Sequence, residues 1–184
     1  MKPRTQLKQW VSLQHQGQLI RGTNKPYVEH LFAVAEMARP VVTLGYEIGL
    51  CHDLLEDTEV TQSELLAALL GFGYSHDEAY AITYCVVELT DVYTSGDYPE
   101  LSKSARKLLE HKRLLTISPA AQTVKYADLI YNTIWMLKYD PKHAAQYMAK
   151  KRVLLADLNR GNAKLRRQLS NLISDDIIKS DHDG

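Results

Sequence analysis

Apolar residues in this chain recur at helical spacing almost from end to end, and the alternation that a half-buried strand requires is nearly absent. Leu7, Trp10, Val11 and Gln14 mark a first helix, broken by the segment Gly22 to Pro26. Tyr27, Leu31, Val34 and Ala38 share a face of the next, which ends before Pro40 because the residue before proline avoids the α region. A third helix is predicted over Gly45 to Asp57. Thr61 and Glu64 then have the spacing of a capping box, opening a helix that carries Leu65, Leu66, Leu69 and Leu70 as far as Gly71-Phe-Gly73. Further helices are expected from His76 to Leu89, from Leu101 to Leu115 after a polar loop at Tyr93 to Glu100, and from Ser118-Pro119 through Val124 to Leu137. Ser118 suits the N-cap of that helix and Pro119 its first turn. A long last helix runs from Pro141 to Asn159 and leads past Gly161. The β-branched pair Val86-Val87 is too short to make a strand. The expectation is an all-α bundle of eight to ten helices, a single domain over residues 1–174, followed by a frayed polar tail over 175–184.

Composition narrows the function classes. The 184 residues carry 22 Lys+Arg against 22 Asp+Glu, and this balance argues against a dedicated binder of nucleic acid or anionic membrane. No apolar run approaches the roughly 18 residues of a membrane span. The opening segment MKPRTQLKQW has no apolar core of a secretory signal. Cys51 and Cys85 lie in apolar stretches and read as reduced core residues. A cytoplasmic protein is expected.

The densest chemical signal is Leu50-Cys-His-Asp-Leu-Leu-Glu-Asp-Thr58. On one helix, His52 would share a face with Glu56, and Asp53 with Asp57. Three acids and a histidine interleave with Leu50, Leu54 and Leu55, so part of the cluster must approach the core. A buried carboxylate there needs a partner or a cation. His30 points inward with the stripe of Tyr27 and Val34, and Asp128 lies on the apolar side of its helix with Val124, Asn132 and Trp135. Singly, each has a plainer reading: His30 as a hydrogen-bonded core residue, Asp128 as a partner of Lys125, and the acidic run as a solvated face. Jointly, His30, His52, Asp53 and Asp128 supply two imidazoles and two carboxylates. That mixed set suits one Mn²⁺, Fe²⁺ or Co²⁺ ion, with weaker claims for Mg²⁺ and Zn²⁺. Glu56 and Asp57 would then lie close enough to orient or deprotonate a water.

These ordered residues resemble the HD-domain phosphohydrolases, within them the alarmone hydrolases: the hydrolase half of the RelA/SpoT enzymes and the small stand-alone hydrolases. The resemblance covers roughly residues 14–150. It rests on the segment Arg21-Gly-Thr-Asn-Lys-Pro-Tyr-Val-Glu-His30, on the block from Cys51 to Thr61, on Phe72-Gly73, on Val87-Glu-Leu-Thr90, and on Val124-Lys-Tyr-Ala-Asp-Leu-Ile-Tyr-Asn132. It implies that His30, His52, Asp53 and Asp128 hold the metal, with Mn²⁺ as the expected ion, and that Glu56 and Asp57 activate water. It implies further that Asn132 holds substrate near the metal, that Arg21 stacks on guanine, and that Lys103 lies beside the pyrophosphate. Arg106 and Lys107 on the same basic segment, and Tyr147 on the following helix, complete the implied substrate contacts.

The activity so implied is hydrolysis of guanosine tetra- or pentaphosphate at the 3′-pyrophosphate, with a divalent ion bringing the pKa of water toward neutrality. Asn24-Lys25 displaces the family's glycine before Pro26-Tyr27, Leu31 replaces a proline, and Ile134 and His143 stand where the family can carry arginine. The last two changes bear on substrate identity. The same metal site acting on a dNTP, a nucleoside monophosphate or NADPH is the alternative, and a non-catalytic nucleotide-binding regulator a further one. The extra histidines of dinuclear relatives have no counterparts, and His76, His111 and His182 receive no role. The apolar surface of the last helix could serve a homodimer.

Overall fold

The computed structural model describes residues 1–174, and the tail expected over 175–184 lies outside the described residues. Ten helices are present among them: α1 (Pro3–Gln14), α2 (Val28–Ala38), α3 (Gly45–Cys51), α4 (Leu54–Asp57), α5 (Gln62–Phe72), α6 (His76–Leu89), α7 (Lys103–Leu114), α8 (Pro119–Tyr139), α9 (Pro141–Asp157) and α10 (Ala163–Leu172). The nearest thing to sheet is one isolated bridge, Leu19 to Pro26. The all-α expectation holds, and no described helix is long and apolar enough to cross a membrane.

Local chemistry sets the helix ends. Both arms of the Thr61–Glu64 capping box form: the Glu64 amide donates to Thr61 Oγ1 at 3.3 Å, and the Thr61 amide to Glu64 Oε2 at 2.9 Å. Ser75 and Glu78 make a second box ahead of α6. Ser118 Oγ accepts from the Ala121 amide at 3.2 Å, with Pro119 in the first turn of α8. Two elements depart from the sequence reading. The helix expected over Gly45 to Asp57 is interrupted at His52 and Asp53, where Asp53 adopts φ −102° and ψ 3°, outside the helical well. Beyond Gly161, the sequence reading assigned no helix, yet α10 forms, its N-cap Asn162 accepting from the Lys164 and Leu165 amides. Leu165 and Leu169 bury its inner face against α8.

The centre of the bundle is α8 lying on α2, α3 and α6, with α9 and α10 closing over its outer side. Leu31, Leu50, Leu54, Leu129 and Ile130 are fully enclosed there, as are the thiols of Cys51 and Cys85. Helices α2 and α3 approach unusually closely. A Cβ built on Gly49 would stand 2.8 Å from Ala35 Cα, and one on Gly45 2.4 Å from the Ala38 carbonyl oxygen. Glycine is therefore required at both positions for the crossing. Gly49→Ala is expected to force the helices apart at a cost of about 1–3 kcal/mol, the usual penalty of overpacking. A thermal melt showing an unchanged midpoint would refute that reading of the crossing.

Candidate functional site

The close α2–α3 crossing brings two histidines together. His30 lies in the first turn of α2 and His52 caps the C-terminus of α3; they are 3 % and 2 % exposed, and their Nε2 atoms stand 3.1 Å apart. A backbone carbonyl can only accept, so the 2.7 Å contact between His52 Nδ1 and the Gly49 carbonyl puts the ring hydrogen on Nδ1. The Nε2 lone pair is thereby turned toward the cluster. The interruption between α3 and α4 swings Asp53 to the same side: its Oδ2 lies 3.0 Å from His52 Nε2 and 3.4 Å from His30 Nε2. In an unbroken helix adjacent side chains diverge by about 100°, so the break is what makes the His-Asp doublet converge. The ligand atoms of His30, His52 and Asp53 all lie within 4.8 Å of one another, as a shared cation requires.

Asp128, near the middle of α8, is the fourth member. Its Oδ1 lies 3.6 Å from His30 Nε2 and 3.9 Å from His52 Nε2, while its Oδ2 accepts from Lys125 Nζ at 2.9 Å. The plainer reading of Asp128 as a partner of Lys125 is therefore met, with the other carboxylate oxygen left near the two histidines. Asn132, one turn on, donates to Asp128 Oδ1 at 2.5 Å, so in this state it holds the carboxylate. Tyr27 donates to Asp53 Oδ2 at 2.6 Å and packs its ring on His30, while Tyr131 meets the other side of His30 edge-on at 4.6 Å.

The electrostatics of the cluster call for positive charge. Burial disfavours ionised His52, yet Asp53 and Asp128 outweigh that effect and raise it to about 9. Burial likewise opposes the charge on Asp128, but Lys125 and the two imidazoles hold its carboxyl below the ordinary range. Two imidazoles beside two carboxylates are a donor set that fits a divalent cation, whose charge would take the place of the proton on His52.

Glu56 and Asp57 project from α4 at the exposed rim of this cluster rather than on the face of the two ligands. Glu56 Oε2 accepts from the Asp91 amide at 3.3 Å. Although much of Glu56 meets solvent, desolvation of its carboxylate, reinforced by Asp91 and Asp53, raises it to about 7. Asp57 is also raised, by desolvation and by Asp53. Its backbone is pinned from the loop after α1, where Gln18 Nε2 donates to the Asp57 carbonyl at 2.6 Å and Gln18 Oε1 accepts from buried His15 at 2.7 Å.

A cavity of about 330 Å³ opens from the cluster, with His30 and Asp128 in its wall and Arg21, Asn132 and Tyr147 around it. Three of the residues expected from sequence to contact substrate thus line the cavity beside this cluster, and of these Asn132 touches it, at Asp128. Lys107 lines an adjoining cleft, whereas Lys103 is exposed on the first turn of α7 and lines neither. Arg106 donates to the carbonyls of Leu101 and Tyr98 and supports the loop before α7. Sequence reasoning gave no site role to Tyr27, Trp135 or Lys151, all of which line the cavity. For Lys151 a signal was present, since it follows Tyr147 by four residues and shares its helix face.

No family model matches the chain, and no curated protein matches it in sequence. Among solved structures it is similar to a metazoan orthologue of SpoT, described as hydrolysing ppGpp and acting in starvation responses, at 20 % identity and a TM-score of 0.74, over 94 % of each chain. At that identity the likeness establishes a shared fold.

Proposed function

We propose that the chain is a metal-dependent pyrophosphohydrolase that removes the 3′-pyrophosphate of guanosine tetra- or pentaphosphate, giving GDP or GTP. The observation that carries the reading is the convergence of His30, His52, Asp53 and Asp128 beside a cavity that His30 and Asp128 line together with Arg21, Asn132 and Tyr147. A fold shared with a ppGpp-hydrolysing protein supports it. A divalent cation held by the four residues supplies Lewis-acid assistance to a water and to the phosphoryl oxygens.

The chain's own residues divide the remaining work. Arg21 offers a planar guanidinium for stacking on the base. Water attacks the phosphorus bonded to the 3′ oxygen; that bond breaks, leaving a 3′ hydroxyl and free pyrophosphate. Glu56, with Asp57 beside it, takes the proton from the water, and that proton is returned to the 3′ oxygen as its bond to phosphorus breaks. Lys125, already beside Asp128 in the cavity wall, offers positive charge to the phosphoryl oxygens of the group under attack.

The test is pyrophosphate release from ppGpp by purified protein, with and without Mn²⁺, beside dNTPs and NADPH. Mn²⁺-dependent release from ppGpp well above the other nucleotides is expected. Preferential turnover of another nucleotide would overturn the substrate while keeping the metal site. Silence on every compound with metal bound would overturn the enzymatic reading.

A further inference from the structure

The cavity beside the metal cluster holds about 330 Å³, near the lower end of the roughly 300–1,000 Å³ usual for small-molecule sites. A cleft of about 530 Å³ adjoins it, and Arg21, Trp135, Met136, Tyr147 and Lys151 belong to the walls of both. None of the four cluster residues lines this second cleft; its walls carry Lys107, Lys150 and Lys151 instead. Its one carboxylate, Asp140, is engaged by His143 Nδ1 at 2.7 Å. In a chain with equal numbers of acids and bases, this is a local excess of positive charge.

Lysines on helix surfaces are commonly just solvated, and exposed Lys107 and Lys150 alone would fit that account. Lys151 does not. It is partly buried, its Nζ stands 5.1 Å from the centre of the Tyr147 ring, and no carboxylate lies within salt-bridge distance of it among the described residues. Desolvation and the nearby Lys125 both lower its pKa. A partly buried ammonium without a counter-ion is unfavourable, and a seated anion would relieve it. Lys125 is already matched by Asp128, whereas Lys151 stands where the two cavities meet, with Lys107 and Lys150 beside it in the second.

We propose that Lys151, supported by Lys107 and Lys150, forms an anion subsite for the 5′ phosphates of the ligand, and so selects nucleotides phosphorylated at both ends over those charged only at the hydrolysed end. This rests on the hydrolase reading above and adds to it a residue that sets specificity.

The experiment compares ppGpp with guanosine 3′-diphosphate, which lacks 5′ phosphates, on the wild-type protein and on Lys151→Met, a substitution that keeps the apolar stem. For ppGpp, Lys151→Met should raise KM roughly tenfold or more, the size of one lost charge-assisted hydrogen bond, with kcat little changed. For guanosine 3′-diphosphate its effect on KM should be small. Equal losses on the two compounds, or a loss confined to kcat, would place Lys151 at the reacting end and overturn the subsite. A calorimetric titration with GDP, which carries only the 5′ group, needs no turnover. Weaker GDP binding in Lys151→Met, and to a smaller degree in Lys150→Met, supports the subsite even if ppGpp is not hydrolysed, and equal affinity in all three proteins overturns it. Failure of the hydrolase reading shows separately, as absence of pyrophosphate release from ppGpp by the wild type.

Discussion

Asp53→Ala is expected to abolish metal retention and turnover together. Asp53 Oδ2 is the oxygen that closes the group with His30 and His52, and without it the two imidazoles keep only Asp128, a carboxylate already shared with Lys125 and Asn132. Lewis-acid assistance is worth several kcal/mol, and each 1.36 kcal/mol is a factor of ten, so kcat should fall by at least about a thousandfold. Asp53 also accepts from Tyr27, so some rearrangement of Tyr27 accompanies the loss. Thermal melts with added Mn²⁺ separate lost ligation from lost structure. At a hundred times its dissociation constant a ligand adds about 2.7 kcal/mol, or about 5–11 °C in a chain of this length. That rise should be seen in the wild type and be missing from Asp53→Ala. Normal turnover by the variant in metal-free buffer would remove Asp53 from the site, and with it the cation from the mechanism.

The residues of this cluster were legible because each violates a local pattern. His30 and Asp128 occupy positions where helical spacing calls for an apolar side chain, and they are 3 % and 6 % exposed in the fold. What periodicity could not supply is how the doublet converges. No proline or glycine stands at His52 or Asp53 to announce that the helix stops there. The interruption coincides with a contact that spacing does not announce, the His52 ring reaching back to the Gly49 carbonyl beside the close α2–α3 crossing. As a result, the face-sharing expected of His52 with Glu56 does not occur: His52 is buried and Glu56 stands at the rim.

Lysines hid for another reason. A lysine on an amphipathic helix reads as solvated whatever its surroundings, so the four-residue spacing from Tyr147 to Lys151 does not by itself separate a cavity residue from a surface one. Tyr27 read as one more member of an apolar stripe, and only its hydroxyl's contact with Asp53 gives it a part in the site. Helix α10 was missed because its polar face dominates a short segment, while two leucines, Leu165 and Leu169, suffice to dock it.

Glu56→Gln should separate proton transfer from metal binding. Glutamine keeps the shape of the side chain and still offers an oxygen to the Asp91 amide, but it cannot take a proton from water. Metal affinity should therefore be retained, while kcat falls by about 10²–10⁴, the usual worth of a positioned general base. The pH profile carries the sharper signature. Glu56 must be ionised to act, and its carboxyl is raised to about 7 by desolvation, with Asp91 and Asp53 adding to it. Below that pH it is protonated and idle, so wild-type kcat rises as the pH climbs toward neutrality. A cation in the neighbouring cluster favours the ionised form, which moves this limb to the acid side of about 7 and never to the alkaline side. Asp57 is raised as well, by desolvation and by Asp53. In Glu56→Gln the limb nearest neutrality should vanish. If it persists at the same pH, the proton goes elsewhere, and the elevated pKa of Glu56 reflects only its place among acids at the rim.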